Sequence, residues 1–307
     1  MSEEKNEEER TTELRENELR EGQYMQLIKS ILQEGSFEQG RNGNTWSIFG
    51  ATMRFSLKNN TIPILTSKKV AWKTCVKELL WFISGSTDNQ KLIDQNVHIW
   101  SSNASRSFLD SRGLEHLSEN DLGPVYSHQW RHFNAPYKTC DTDYSGQGID
   151  QLQNIINALK DPDQRNSRRL VMSSWNPAQL DEMALPPCHV LVQFNVSHGN
   201  KLSCALYQRS GDVGLGVPFN IASYAFLTHL LAKHCGLEAF EFIYNVGNCH
   251  IYEEHVEALR GQLRNRLYAF PTIEITQVYE NINDYKVTDF TINNYKCNDA
   301  IFMKIIA

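Results

Sequence analysis

The chain has 307 residues, 41% of them hydrophobic, and a formal net charge of −6, of which residues 1–22 alone hold −5 (nine Glu against Lys5, Arg10, Arg15 and Arg20). That length fits one large domain or two ordinary ones, with enough apolar content for a sizeable core. The remaining body is close to neutral, which is not the pattern of a non-specific nucleic-acid binder. Residues 1–22 contain no apolar run. They are expected to be a disordered or loosely helical solvated tail rather than a signal peptide, with the folded unit covering 23–307. No segment has the ~18 apolar residues of a membrane span, so no membrane association is expected.

In chain order, Tyr24, Leu27, Ile28, Ile31 and Leu32 recur at helical spacing, with Gly35 as a stop. Trp46 to Leu57 reads as a strand, with Gly50 at a bulge. Val70 to Ile83 is apolar nearly all round and predicts a buried helix. The polar, turn-rich stretch 101–147 reads as insertions over a surface or cleft. Ile149, Leu152, Ile155, Ile156 and Leu159 mark an amphipathic helix ended by Asp161-Pro162. Leu170 to Trp175 predicts a strand. His189 to Val196 and Lys201 to Gln208 predict two strands joined by a Ser-His-Gly-Asn turn. Pro218 to His234 predicts a long apolar helix closed by Gly236. A short strand over 240–246, a helix over 250–263, and strands near 272–278 and 287–293 complete the chain. Helices and strands mix without regular βαβ alternation, so the class is α+β.

Seven cysteines occur, at 75, 140, 188, 204, 235, 249 and 297, with no Cys-x-x-Cys pair and no zinc-finger histidine spacing. An odd count without a leader is the pattern of reduced thiols in the cytoplasm, with nuclear or mitochondrial access left open. No metal is expected. No phosphate loop or dinucleotide fingerprint appears, and no nicotinamide is expected.

Pro187-Cys188-His189 and, about twenty residues on, Gln208-Arg209-Ser210-Gly211-Asp212 flank the predicted strand pair. Cys188 is either a buried structural cysteine or a nucleophile whose pKa the cationic Arg209 lowers from about 8.5. Arg41 sits in a Gly/Asn-rich turn, and Arg168 and Arg169 precede a strand. Such arginines are solvated, or they present a guanidinium fork suited to phosphate. Glu78, inside the apolar helix, belongs to a core ion pair or a proton-transfer site, because a buried carboxylate needs partners or a raised pKa. Asn220 caps a helix or reads a base through its amide. His250 and Tyr252 read equally as packing residues.

Leu185-Pro186-Pro187-Cys188-His189 and the run Tyr207 to Tyr224 closely resemble the thymidylate synthase family, and the resemblance extends from about Tyr24 to the C-terminus. It implies one α+β catalytic domain in which a mixed sheet, packed by helices, forms a homodimer interface. It also implies transfer and reduction of a one-carbon unit from 5,10-methylenetetrahydrofolate to C5 of dUMP, giving dTMP and dihydrofolate. By the same resemblance Cys188 adds to C6 of dUMP. Glu78 (in Glu78-Leu79-Leu80-Trp81-Phe82) and Tyr126 move protons, and Asn220 selects uracil. Arg41, Arg209, Ser210, His189, Gln208, His250 and Tyr252 contact dUMP, with Arg168 and Arg169 reaching the phosphate from the partner subunit. Ile99, Trp100, Asn103, Asp212, Leu215, Gly216, Phe219 and Ala307 line the folate site, which the C-terminal segment closes.

Some positions depart from the family pattern. The loop Arg41-Asn42-Gly43-Asn44-Thr45-Trp46 is a residue short, Ser101 follows Trp100, Ser127 follows Tyr126, and the chain ends in Ala307. A dUMP hydroxymethylase, or a catalytically weak nucleotide-binding homologue, are therefore the alternatives on the same fold.

Overall fold

A computed structural model describes residues 21–40 and 43–306. The expected tail lies outside them except for Glu21 and Gly22, which open helix α1 (21–34). Buried Tyr24, Met25, Leu27, Ile28 and Ile31 give α1 one apolar face. The Glu21 carboxylate is itself buried. It accepts from Thr66 N (2.8 Å), Thr66 Oγ1 (2.6 Å) and Ser67 N (2.8 Å), tying α1 to the segment before the next helix.

β1 (Ser36–Gly40) and β2 (Gly43–Ser56) form a hairpin. α2 (Trp72–Ile83), the short α3 (Gln90–Ile93) and α4 (Arg106–Ser111), α5 (Tyr126–His132), α6 (Gln151–Lys160) and β3 (Val171–Ser173) follow. Then come β4 (His189–Ser197), β5 (Lys201–Asp212), α7 (Gly216–His234), β6 (Glu238–Tyr252), α8 (Val256–Gln262), β7 (Thr272–Ile275) and β8 (Phe290–Asn293). Six strands make one mixed sheet in the order β1-β2-β6-β5-β4-β3, and β7 pairs with β8. The class is α+β, as expected.

β5 runs antiparallel to β4 but parallel to β6, and α7 makes the crossover a parallel pair requires. α7 is apolar on all sides because it packs on β5 and β6 with one face and on α2 with another. Val192, Phe194 and Val196 of β4 alternate with exposed Leu191, Gln193 and Asn195, so only one sheet face is covered by helices. On the other face Leu191, Tyr207 and Val171 are exposed.

Three expectations change. Gly50 has φ +86, yet β2 pairs with β6 in unbroken register on both sides of it, so it is a local twist and not a bulge. The strand expected over 240–246 runs from 238 to 252, so His250 and Tyr252 stand on β6, and α8 starts only at Val256. Within 101–147, residues 121–130 are wholly buried and include most of α5. Apart from His128 Nδ1, their buried polar side-chain atoms are paired internally: Asp121 accepts from Tyr137 Oη (2.6 Å), Gly123 N (2.9 Å) and Cys140 N (2.9 Å). Polarity there marks hydrogen bonding inside the fold rather than contact with water.

Removing an acceptor of three buried donors leaves them unsatisfied. Glu21→Ala should lower the unfolding free energy in urea titration by about 3 kcal/mol, whereas the exposed Glu34→Ala should change it by less than about 0.5 kcal/mol.

Candidate active site

The register brings three strand ends to one place: His189 at the start of β4 faces Gln208, and Asp212 at the end of β5 lies beside His250 of β6. A register shift between His189 and Leu191 inserts one extra residue next to Cys188, a distortion that re-aims side chains at a strand end.

Cys188 is partly buried just before β4. Its backbone N–H donates to Tyr126 Oη (2.6 Å), and Arg209 Nη2 lies 3.9 Å from its Sγ. Arg209 is held in place by Pro187 O (2.8 Å) and Pro186 O (2.9 Å), with its guanidinium 5.6 Å from the Trp175 ring. The expected net lowering of the thiol pKa does not occur. Burial raises it, and Arg209 and Tyr126 only partly oppose that.

Asn220, in the first turn of α7, joins two neighbours. Its Oδ1 accepts from Gln208 Nε2 (2.9 Å) and its Nδ2 donates to His189 Nε2 (2.7 Å). Gln208 in turn accepts from Tyr244 Oη (2.7 Å). Burial lowers the His189 pKa to about 4, so the ring is neutral at pH 7 and accepts from the amide at Nε2. Asn220 is therefore a network residue at a helix start and not a cap, since α7 has no side-chain cap.

Glu78 is buried on α2 and accepts from Trp100 Nε1 (2.8 Å). Burial raises its pKa to about 7, against the lowering effect of that bond. No cation pairs with it among the described residues, so the core ion-pair reading is set aside. The Tyr126 ring packs between Trp100 (5.9 Å), Phe82 (5.1 Å) and His189 (4.9 Å), which links the two groups.

Asp212 Oδ1 accepts from Gly214 N (2.8 Å) and Leu215 N (3.3 Å). Of the other residues expected at the folate site, Ile99, Leu215 and Phe219 are half-buried, and Trp100 and Asn103 are buried. At Gly216 a Cβ would lie 3.7 Å from Asn220 Oδ1 and 3.8 Å from Asp212 Cβ, in van der Waals contact with both. His250 Nδ1 lies 3.1 Å from Asn248 Oδ1, and its ring is 5.2 Å from that of Tyr252. Ser210 lies on β5 opposite Asn248.

Arg168 and Arg169 are on an exposed turn before β3 and join none of these contacts. Arg41 and Ala307 lie outside the described residues; Gly40 and Gly43 pair at the end of β2 nearest Tyr252. Two residues of the site were not anticipated. Tyr244 was legible only as one of the alternating apolar residues of a strand. Lys68 is buried, donates to Gly214 O, and has its pKa lowered by burial to about 8. Its one sequence signal is a lysine set against the apolar run Ile62-Pro63-Ile64-Leu65. Among the described residues no group of three His, Cys, Asp or Glu is placed to hold a metal ion, and no helix is long and apolar enough to cross a membrane.

The family model described as Thymidylate synthase matches residues 22–307. The chain is 48% identical over 293 residues to the thymidylate synthase of Saccharomyces cerevisiae, covering 92% of this chain and 96% of that protein. It is 51% identical over 285 residues to a bifunctional dihydrofolate reductase-thymidylate synthase of Paramecium tetraurelia, and 49% identical over 285 residues to that of Leishmania major. It covers 60% and 54% of those two, so it spans little more than half of the bifunctional relatives.

A carboxyl group whose folded pKa is raised favours folding while protonated; that contribution is complete below the unfolded pKa and is lost as pH rises through the folded one. For Glu78 the window runs from 4.5 to about 7. Glu78→Gln stays neutral, so it should match the native chain in urea stability at pH 4 and exceed it by about 3 kcal/mol at pH 8.

Proposed function

The chain belongs to the thymidylate synthase family, and on that premise we propose that it methylates C5 of dUMP to give dTMP, with 5,10-methylenetetrahydrofolate as co-substrate and dihydrofolate as second product. The observation that carries this reading is Cys188 Sγ 3.9 Å from the Arg209 guanidinium, on the strand end that also holds the His189–Asn220–Gln208 network.

In this reading Cys188, as thiolate, adds to C6 of the uracil ring and makes C5 nucleophilic. The thiol must lose its proton against a burial-raised pKa, so attack depends on bound nucleotide and ordered water. An amide has two donors and two acceptor positions. Asn220, fixed by Gln208 and His189 before binding, uses the remainder to donate to uracil O4 and accept from N3–H. Cytosine inverts that pattern.

Glu78, with a pKa near 7, populates both forms at neutral pH and suits proton exchange with the base and co-substrate. Tyr126 and water take the C5 proton. The reduced folate, held by Asp212 against Ile99, Trp100, Asn103, Leu215, Gly216 and Phe219, supplies both the one-carbon unit and the hydride. Arg41, Arg209 and Ser210 hold the phosphate, and His250 and Tyr252 the ribose. Arg168 and Arg169 reach the phosphate from the partner of a cytoplasmic homodimer joined through the uncovered sheet face. Residues 23–307, together with Glu21 and Gly22 that open α1, are the catalytic unit.

The test is product mass from dUMP and 5,10-methylenetetrahydrofolate, with dihydrofolate absorbance followed in parallel. The expected result is dTMP with equimolar dihydrofolate. Hydroxymethyl-dUMP with no dihydrofolate would replace this reading with the hydroxymethylase, and bound dUMP without product would replace it with a nucleotide-binding homologue. Cys188→Ser should cut turnover by at least about 10³-fold and leave the dUMP dissociation constant within about threefold; unchanged turnover would remove the nucleophile assignment. Asn220→Asp should move the dCMP-to-dUMP ratio of kcat/KM by at least about tenfold toward dCMP, and an unmoved ratio would remove the base-reading role.

A further inference from the structure

The segment 300–306 carries neither helix nor strand. Upstream it is anchored by Asn298, which bonds Thr66 O and Arg266 O, and by Lys69 N donating to Asp299 O. Farther on, Phe302 and Ile305 are exposed at 91% and 60%, yet Met303 between them is 7% exposed. Two contacts hold it there. Met303 lies against Gly214, where a built Cβ would come within 3.1 Å of Met303 Sδ and 2.9 Å of His255 Nδ1. His255, only 1% exposed, has Nε2 2.9 Å from the carbonyl oxygen of Lys304. A carbonyl only accepts, so Nε2 carries the proton and donates.

The other edge of the ring faces the candidate site. His255 Nδ1 is 3.8 Å from Asp212 Oδ1, the oxygen that accepts from Gly214 and Leu215. One buried imidazole thus stands between the C-terminal segment and the turn that carries Asp212. The floor of that turn is held separately: Tyr24 Oη donates to Val213 O (2.9 Å) and Lys68 Nζ to Gly214 O. The turn is therefore a fixed surface, and the segment above it is the part His255 secures. Lys304 contributes through its backbone, its side chain being exposed.

We propose that His255 is a positioning residue that latches the C-terminal segment over the Asp212–Leu215 turn and so encloses the co-substrate bound there. The enclosing role rests on the function proposed above; the latch itself does not. A latch at this place acts on the folate side of the site. The dUMP side, built on Cys188, His189, Gln208 and Asn220, is held by its own network.

The test uses the full chain with His255→Leu, His255→Gln, deletion of residues 303–307, and His255→Leu combined with the deletion. Glutamine places an amide N–H near where Nε2–H stands, so it keeps the latch; leucine removes it. Tryptic cleavage after Lys304, followed by mass spectrometry on the free protein, should be at least about fivefold faster for His255→Leu and near native for His255→Gln. Unchanged cleavage in His255→Leu would overturn the latch, and this arm decides it whether or not the native chain turns over.

In the kinetic arm, KM for 5,10-methylenetetrahydrofolate should rise at least about fivefold in His255→Leu while the dUMP dissociation constant stays within about twofold. The deletion should have the same effect, and the combined variant should be no worse than either. Parallel loss of dUMP binding, or additive effects, would overturn the positioning role. An inactive native chain would instead count against the proposed function. If His255→Leu does not fold, His255→Asn, too short to reach Lys304, takes its place with the same expected results.

Discussion

Strand β5 is paired on both sides with opposite polarity, antiparallel to β4 and parallel to β6. The part of the candidate site carried by the strands follows from that arrangement. The antiparallel side turns the start of β4 toward the end of β5, so Cys188 meets Arg209. The parallel side brings the end of β6 to the same edge, so His250 meets Asp212. A parallel neighbour needs a long crossover. That crossover is α7, whose first turn supplies Asn220 and Phe219 directly above the strand ends. The helix is apolar on every side because it fills the space between the sheet and α2, where a polar face would have no solvent.

Burial then sets the ionisation of the groups gathered there. It favours the neutral form of each: the Glu78 carboxyl and Cys188 thiol titrate high, the His189 imidazole low. Each retains specific partners that limit the effect: Trp100 for Glu78, Arg209 and Tyr126 for Cys188, Asn220 for His189. The Arg209 guanidinium beside them is satisfied by the Pro186 and Pro187 carbonyls. Those two carbonyls, with the Trp175 ring, fix the guanidinium in place beside the thiol.

Much of this was legible in the chain. Periodicity located α1, α2, α6, α7 and the β4–β5 pair within a few residues, because each buries one face or is buried on all. It misplaced His250 and Tyr252 in a helix, because Glu253 to Gln262 reads helically and β6 continues into it without a break. It read 101–147 as insertions over a surface or cleft, because Asp121, His128 and Gln129 are polar. Polarity reports only that a side chain needs hydrogen bonds; whether water or Tyr137, Ala135 and Pro124 supply them depends on how the segment folds back on itself.

By itself the sequence determined the element pattern, the α+β class, the absence of nucleotide-loop motifs, and the residue types flanking Cys188. These are local properties, carried by spacing, turn residues and short motifs. Only the tertiary structure decided that burial outweighs Arg209 at the Cys188 thiol. It alone showed that Asn220 is tied to His189 and Gln208, that Lys68 is buried beneath the Asp212 turn, and that His255 stands between that turn and residue 304. Those relations join positions 12 to 146 residues apart. Their energies come from desolvation and geometry, which no stretch of sequence contains until the strands are in register.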